Sequence, residues 1–293
     1  MTEEQLFQPL LEDAALDLDA ARRVTYVLRQ RFRYDYDAPA YDLAHRLVVV
    51  PRARHGSLRR RLHSVNVSVR TARVWNRRDD HGNVVVEVGV DMVAASVEFT
   101  VVAVVERAGP RVDAMLPMSA LRDPRLLRPT RLTTADEAIR DLASDIRAAS
   151  ADHLEFADRC CRDVRAAIGY EFGVTSCSTT AAEALAGGRG VCQDHAHLAL
   201  AVCRAAGVPA RYVSGHLVGD SGTHAWIEVL VARGGQARAV AFDPCNGCRA
   251  GSRHLPVATG RDYADVAPTS GRYAGLALGR LTTDKQLGVT IAA

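Results

Sequence analysis

Gly187-Gly188-Arg189-Gly190-Val191-Cys192-Gln193-Asp194-His195 is the stretch on which the fold and the chemistry of this chain turn. The glycines at 187, 188 and 190 let the backbone turn sharply. The run that follows, from Cys192 to Ala206, reads as a helix that stops at Gly207, with Pro209 just beyond. Cys192 is therefore predicted at a helix N-terminus, where unpaired N–H groups and the positive end of the helix dipole favour negative charge. A thiol in that position is expected to have a lowered pKa, and the thiolate is the competent nucleophile. The same N–H groups can stabilise the oxyanion formed when a thiolate attacks a carbonyl. The opposing reading is a small buried hydrophobe, the usual fate of a free cysteine.

A thiol nucleophile needs a base, and the base needs an orienting acceptor. Three apolar segments after the helix alternate like strands: Ala210–Leu217, His224–Val231 and Ala237–Phe242. His224 opens the second of them, directly after the turn-forming Gly219-Asp220-Ser221-Gly222. Asp243 ends the third, where Pro244 stops the strand, and a carboxylate there can fix the tautomer of a histidine on the neighbouring strand. Taken singly, a histidine is more often structural and an Asp-Pro pair is usually a turn. Their order, cysteine at a helix start, histidine on a later strand and aspartate on the next, is what carries meaning.

That order resembles the bacterial transglutaminase-like superfamily. The matching segments are Gly190-Val191-Cys192-Gln193-Asp194, Val208–Gly215, His224–Val229, Phe242-Asp243-Pro244-Cys245-Asn246-Gly247 and Gly260–Pro268. Tyr34-Asp35-Tyr36 and Leu47–Pro51 are similar to the β-rich region that precedes the catalytic core in this family. The resemblance implies an α+β fold: a papain-like core, with the cysteine helix packed on an antiparallel sheet, preceded by an all-β N-terminal domain. It implies a Cys192–His224–Asp243 triad that attacks an amide, peptide or thioester carbonyl and forms an acyl-enzyme. Water then gives hydrolysis and an amine gives amide formation; neither route calls for a metal or an organic cofactor. Aminolysis of a carrier-bound thioester in secondary metabolism is a specialised alternative, and a non-catalytic binding module is an alternative of another class.

The sequence departs from the family at His195 and His216, where aromatics are usual, and at Gly235-Gln236-Ala237, where a tryptophan is usual. Histidines in place of aromatics suggest either an altered pocket or drift at wall positions. The pair Cys245/Cys248 beside Asp243 reads first as incidental thiols; as half of a zinc site it has only Cys160, Cys161, Cys177 and His254 as loose candidates for the rest, and as a redox pair it lacks the expected βαβ context. His195 and His197, two apart on a helix, point to different faces and do not suit one metal.

Upstream of the cysteine the chain changes character near residue 125. From Arg23 to about Arg107 the pattern is strand-like, with Val24, Tyr26 and Leu28 at period two and Asp79–Asn83 as a turn, which predicts a sandwich or small barrel. A Pro/Arg-rich stretch, Asp123–Thr130, reads as a linker. Thr134-Ala135-Asp136-Glu137 and Thr180-Ala181-Ala182-Glu183 read as capping boxes ahead of helices, and a further helix is predicted over Leu154–Ile168. The expected organisation is an arm or short helix over 1–21, a β-rich domain over 22–122, a catalytic domain over 131–280 and a tail over 281–293.

Composition sets the outer bounds. With 293 residues, 48% hydrophobic and 24% charged, the chain has ordinary globular character. A net charge of +3 does not argue for nucleic acid, and of 37 Lys+Arg residues only Lys285 is lysine. The cluster Arg59-Arg60-Arg61 reads as a solvated strand face. No apolar run of about 18 residues or more is present, so no membrane span is expected. The start Met1-Thr2-Glu3-Glu4-Gln5 lacks secretory character, which makes the cytoplasm the expected location. Seven cysteines without that character argue against a disulfide framework. The expected partner is a peptide, protein or acyl-thioester substrate, with no nucleic acid and no membrane.

Overall fold

Inward-facing Val24, Tyr26, Leu28 and Phe32 run along β1 (Arg23–Tyr36), so the period-two pattern of the sequence is realised as one buried strand face. The structure is a computed structural model and describes residues 17–292. The expected N-terminal arm or helix lies, up to residue 16, outside the described residues.

The strands that follow are β2 (Ala40–Val50), β3 (Arg54–His55), β4 (Leu58–Val67), β5 (Arg73–Arg78), β6 (Val84–Val93), β7 (Ser96–Ala108) and β8 (Ala114–Leu116). A single helical turn, α1 (Pro124–Leu127), leads to α2 (Glu137–Ala148) and α3 (His153–Ala167). Then come β9 (Gly169–Tyr170), α4 (Ala181–Gly187), β10 (Arg189–Gly190) and the cysteine helix α5 (Cys192–Ala205). The chain finishes with β11 (Ala210–Leu217), β12 (His224–Arg233), β13 (Gln236–Asp243), β14 (Cys248–Arg249), β15 (His254–Gly260), α6 (Tyr263–Val266), β16 (Thr269–Ala274) and β17 (Gly279–Ala292).

Two antiparallel sheets form the β-rich part, in the orders β17-β1-β7-β4-β3 and β16-β2-β6-β5. Phe32, Val97, Phe99 and Val101 of the first meet Leu43, Leu47, Val86 and Val88 of the second in one core, so this part is a sandwich. The last two strands come from the far end of the chain. Of residues 281–293, read from the sequence as a tail, 281–292 belong instead to β17, which pairs with β1 from Arg23↔Ala292 to Tyr36↔Gly279. The alternation in β17 was hidden because its side chains are mostly exposed, as befits an edge strand.

The mixed part is a sheet in the order β14-β13-β12-β11-β15, with β8 added along β13. Helix α5 buries its length against Ala210, Tyr212, Ala225, Ile227 and Val229 of this sheet, with α2 and α3 on its other sides. The Pro/Arg-rich stretch is not a free linker. Asp123 caps α1 by accepting from the Arg125 N–H at 2.9 Å, and Leu126 packs on Leu230, Ala237 and Ala239. The first of the two capping boxes also moves. Asp136 caps α2 through the Ile139 N–H at 2.9 Å, while the Thr134 hydroxyl donates to the Thr130 carbonyl at 2.9 Å, because the backbone at Thr134 is still extended. The Thr180/Glu183 box forms as expected, with bonds of 3.2 and 2.8 Å.

The two parts are joined by buried polar pairs. Asn83, fully buried, donates to the Thr259 carbonyl at 2.8 Å and accepts the Thr259 N–H at 2.9 Å, so a residue of an expected turn completes the edge of β15. Glu228 accepts from Arg211 at 2.6 Å and meets His55 Nε2 at 2.6 Å across the same junction.

Gly215 shows how little slack the sheet has where it sets His224, its cross-strand partner. A β-carbon there would lie 2.5 Å from the Trp226 ring and closer still to the Leu255 carbonyl. Gly215→Ala is expected to cost about 1–3 kcal/mol, measured as a lower midpoint in thermal unfolding. An unchanged midpoint would show that the register shift between β11 and β15 absorbs the methyl group.

Candidate active site

Cys192 is the first residue of α5 and opens onto a cleft of about 830 Å³. Asp194 shapes the turn before it: its Oδ2 accepts the Val191 N–H at 2.8 Å and the Thr175 hydroxyl at 2.7 Å. Gly190 is required here for closeness, since a β-carbon would lie 2.6 Å from that of Asp194. The N–H groups of Cys192 and Gln193 fall in the first turn of the helix, before any intrahelical acceptor is available to them. The other cysteines are set apart by their surroundings. Cys160 shares a hydrogen bond with Cys203 and is fully buried, and both effects push its thiol pKa up. Burial does the same to Cys161, and takes Cys245 up to about 12, with the nearby Cys192 and Asp243 adding to it.

His224 starts β12 at the rim of the same cleft and is buried. Its Nε2 donates to Asp243 Oδ2 at 2.8 Å, which leaves Nδ1 for Cys192, its other side-chain hydrogen-bond partner. Burial alone would lower the imidazole pKa. The bonds and charges of Asp243 and Cys192 outweigh it and raise the group from 6.5 to about 10. Asp243 has no exposure, and burial would raise its pKa, yet the hydrogen bonds from His224, His254 and Asn246 hold it far below the usual carboxylate range. Its Oδ1 accepts the Cys245 and Asn246 N–H groups at 3.0 and 3.1 Å, and its Oδ2 also accepts Asn246 Nδ2 at 2.7 Å. Cys192, His224 and Asp243, which lie far apart in the sequence, are thus brought to one place, as a chain of three linked side chains.

These shifts set opposite pH limits on stability. His224 holds its proton more tightly folded than unfolded, so its contribution is complete below about pH 6.5 and is lost as pH rises through about 10. Asp243 contributes fully above its ordinary value of 3.8, and that contribution is lost only as pH falls towards its much lower folded value.

The residues that departed from the family pattern do not line the cleft. Both ring nitrogens of His195 face carbonyls, of Val191 at 2.9 Å and of Ile168 at 3.0 Å, so it ties the start of α5 to the end of α3. His216 is fully buried, and burial lowers its pKa to about 3. It touches the Gly222 backbone in the loop ahead of His224, whose carbonyl also accepts Lys285 Nζ of β17 at 2.9 Å. His197 sits deeper in α5, accepting the Tyr263 N–H at 3.2 Å. The histidines therefore brace the site from behind rather than reshape its pocket.

Cys245 is buried and Cys248 exposed, and neither belongs to any metal-competent group of three among the described residues. The one such group is His224, Asp243 and His254, with ligand atoms within 4.8 Å of one another. Those atoms are already bonded to each other. His254 Nδ1 accepts the Gly251 N–H at 3.1 Å, which places its proton on Nε2, aimed at Asp243 Oδ2 3.0 Å away. The donor set is that of a hydrogen-bonded cluster. The sequence offered His254 only as a loose zinc ligand and gave no sign of Asn246 as a second donor to Asp243.

Comparison with known proteins agrees with this architecture. Residues 140–244 match the transglutaminase-like superfamily, and residues 26–106 match the bacterial transglutaminase-like N-terminal region. The chain belongs to the transglutaminase-like superfamily and carries the N-terminal region of its bacterial members. An uncharacterized protein of Mycobacterium leprae is 40% identical over 124 residues, 39% of this chain and 43% of its own length. One of Mycobacterium tuberculosis is 37% identical over 147 residues, 46% of this chain and 41% of its own length. The matched region thus spans less than half of these curated relatives. A candidate cysteine protease from Cytophaga hutchinsonii superposes with a TM-score of 0.71 at 19% identity, covering 92% of this chain and 98% of its own, which shows a shared fold.

Asp243→Asn would remove the anion that holds the imidazolium. The pH at which His224 loses its proton, followed by NMR of the ring Cε1–H, is expected to fall by at least about one unit. A midpoint left in place would mean that Cys192 alone sets the charge state of His224.

Proposed function

We propose that this protein is a thiol-dependent acyl-transfer enzyme that acts on an amide, peptide or thioester through Cys192, His224 and Asp243. The observation that carries the reading is the His224 ring, bonded through Nε2 to a buried carboxylate and facing the thiol of Cys192 at the mouth of an open cleft. The superfamily, and a fold shared with a candidate cysteine protease, support a thiol-dependent enzyme in general terms.

The thiolate of Cys192 attacks the carbonyl carbon while the first-turn N–H groups of α5 receive the developing oxyanion. His224, as the imidazolium, gives its proton to the leaving amine, alcohol or thiol, and a thioester to Cys192 remains. Neutral His224 then takes a proton from water or from an amine as it attacks the thioester, giving an acid or a new amide. Asp243 keeps Nδ1 turned towards the thiol and stabilises the imidazolium at each step. The cleft is lined by apolar Tyr170, Phe172 and Leu217 and by charged Arg165 and Asp220, among others. That mixture suits a segment of peptide or an acyl chain on a carrier more than a small polar metabolite. No described helix is long and apolar enough to cross a membrane. The seven unpaired cysteines suit a reducing compartment such as the cytoplasm.

An activated acyl ester such as p-nitrophenyl acetate tests the reading. A burst of nitrophenol should accompany one acetyl group on the peptide containing Cys192, removable by hydroxylamine, and Cys192→Ala should abolish both. Ester turnover with no acyl group on Cys192, or turnover unchanged in Cys192→Ala, would contradict it.

A further inference from the structure

Asp243 Oδ2 serves two imidazoles, and the triad accounts for only one. His254, at the start of β15, lies 3.0 Å from that oxygen through Nε2, against 2.8 Å for His224. The two rings approach with centroids 6.0 Å apart, and His254 packs edge-on against Trp226 at 5.3 Å. Its side chain is 7% exposed, so water does not compete for the bond.

The hydrogen of this bond belongs to His254. A backbone N–H can only donate, and that of Gly251 points at Nδ1 from 3.1 Å. Nδ1 is therefore the lone-pair nitrogen and Nε2 carries the proton in a neutral ring. The turn that presents the ring is closed a second time by the His254 N–H on the Gly251 carbonyl at 3.0 Å. The β-rich part holds the same turn from outside. Tyr26 of β1 donates to the Ser252 carbonyl at 2.5 Å, and Asp19 accepts the Ser252 hydroxyl at 2.6 Å. Burial raises the Tyr26 pKa to about 12, so its hydroxyl remains a donor.

We propose that His254 is a positioning residue of this site: a neutral imidazole, fixed by the Gly251 turn, that shares Asp243 Oδ2 with His224 and so limits how tightly the carboxylate holds the His224 proton. The proposal rests on the reading of His224 as the partner of Cys192. Its chemical sense is that an imidazolium must also give its proton up. Each further N–H on a carboxylate oxygen withdraws part of its charge, and on Oδ2 the His254 N–H joins those of His224 and of Asn246 Nδ2 at 2.7 Å. The His224 proton then stays available to the leaving group. Other titratable groups face this cluster: Cys192 from α5, Cys161 from α3, His216 from β11 and Cys245 in the turn after β13. Across the small cavity behind His254 lies Glu228, already paired with Arg211 and His55.

Two variants separate charge sharing from packing. His254→Leu removes the N–H and keeps apolar bulk; His254→Gln restores an N–H₂ that reaches Oδ2. The pH at which His224 loses its proton is followed by NMR of the ring Cε1–H, together with acetyl-ester turnover. In His254→Leu that midpoint should move to higher pH, because the carboxylate holds the imidazolium more tightly. Turnover should fall about tenfold with KM little changed, as expected for the loss of one charge-assisted hydrogen bond. His254→Gln should restore both. A midpoint that stays in place in His254→Leu, or Leu and Gln variants that behave alike, would overturn the proposal. Lost packing alone would slow turnover without raising the midpoint, and Gln would not repair it. The underlying reading fails separately: an acid limb of Cys192 alkylation by iodoacetamide that is identical in wild type and His224→Ala would remove His224 as the partner of Cys192.

Discussion

Asp243 has no solvent exposure, and five protein hydrogen bonds surround its carboxylate in place of water. Burying an ion without such partners costs several kcal/mol, about 3–5 when a buried pair is broken, so the bonds are a condition of the fold as well as of the chemistry. The donors arrive from three pieces of structure. His224 comes from the start of β12, His254 from the start of β15, and the Cys245 and Asn246 groups from the turn that Pro244 enforces after β13. The carboxylate thus fixes the relative positions of three chain segments. Through His224 it also fixes the side of the ring that Cys192 meets.

The sandwich that precedes this core is tied to it at the same end. Asn83 completes β15 at Thr259, Tyr26 and Asp19 hold the Gly251–His254 turn, and His55 reaches Glu228 on β12. β17 returns from the far end of the chain to pair with β1 and sends Lys285 back to the loop ahead of His224. The β-rich part therefore does more than precede the mixed sheet-and-helix core in sequence. It supports the backbone of the strand and the turn that present two of the Asp243 donors.

Much of this was legible in the sequence, for physical reasons. The turn before Cys192 was readable because Gly190 tolerates no side chain against Asp194, and the strands of the core because their ends are marked by Gly207, Gly222 and Pro244. The boundaries of β11, β12 and β13 fall within two residues of the expected segments. What escaped was non-local. The strand character of residues 279–292 is weak because the strand is exposed on one edge and gains its partner from more than 240 residues away. Asn83 looked like a turn residue because its partner, Thr259, is equally remote. His195 and His216 looked like pocket residues because their neighbours in sequence are, yet helix and strand geometry turn their rings into the interior. His254 stood out only as a loose zinc candidate, a histidine after Arg253 with no pattern to connect it to Asp243.

The account predicts that chemistry, rather than exposure, singles out Cys192. Cys177 and Cys248 are exposed, whereas Cys192 is only half-buried, so accessibility alone would favour the other two. Competitive labelling of the seven cysteines with limiting iodoacetamide at neutral pH, read by peptide mapping, distinguishes the two. Cys192 should react first by a wide margin, and His224→Ala should erase that margin. Labelling that follows exposure, with Cys177 and Cys248 ahead of Cys192, or a Cys192 rate indifferent to His224→Ala, would contradict the account.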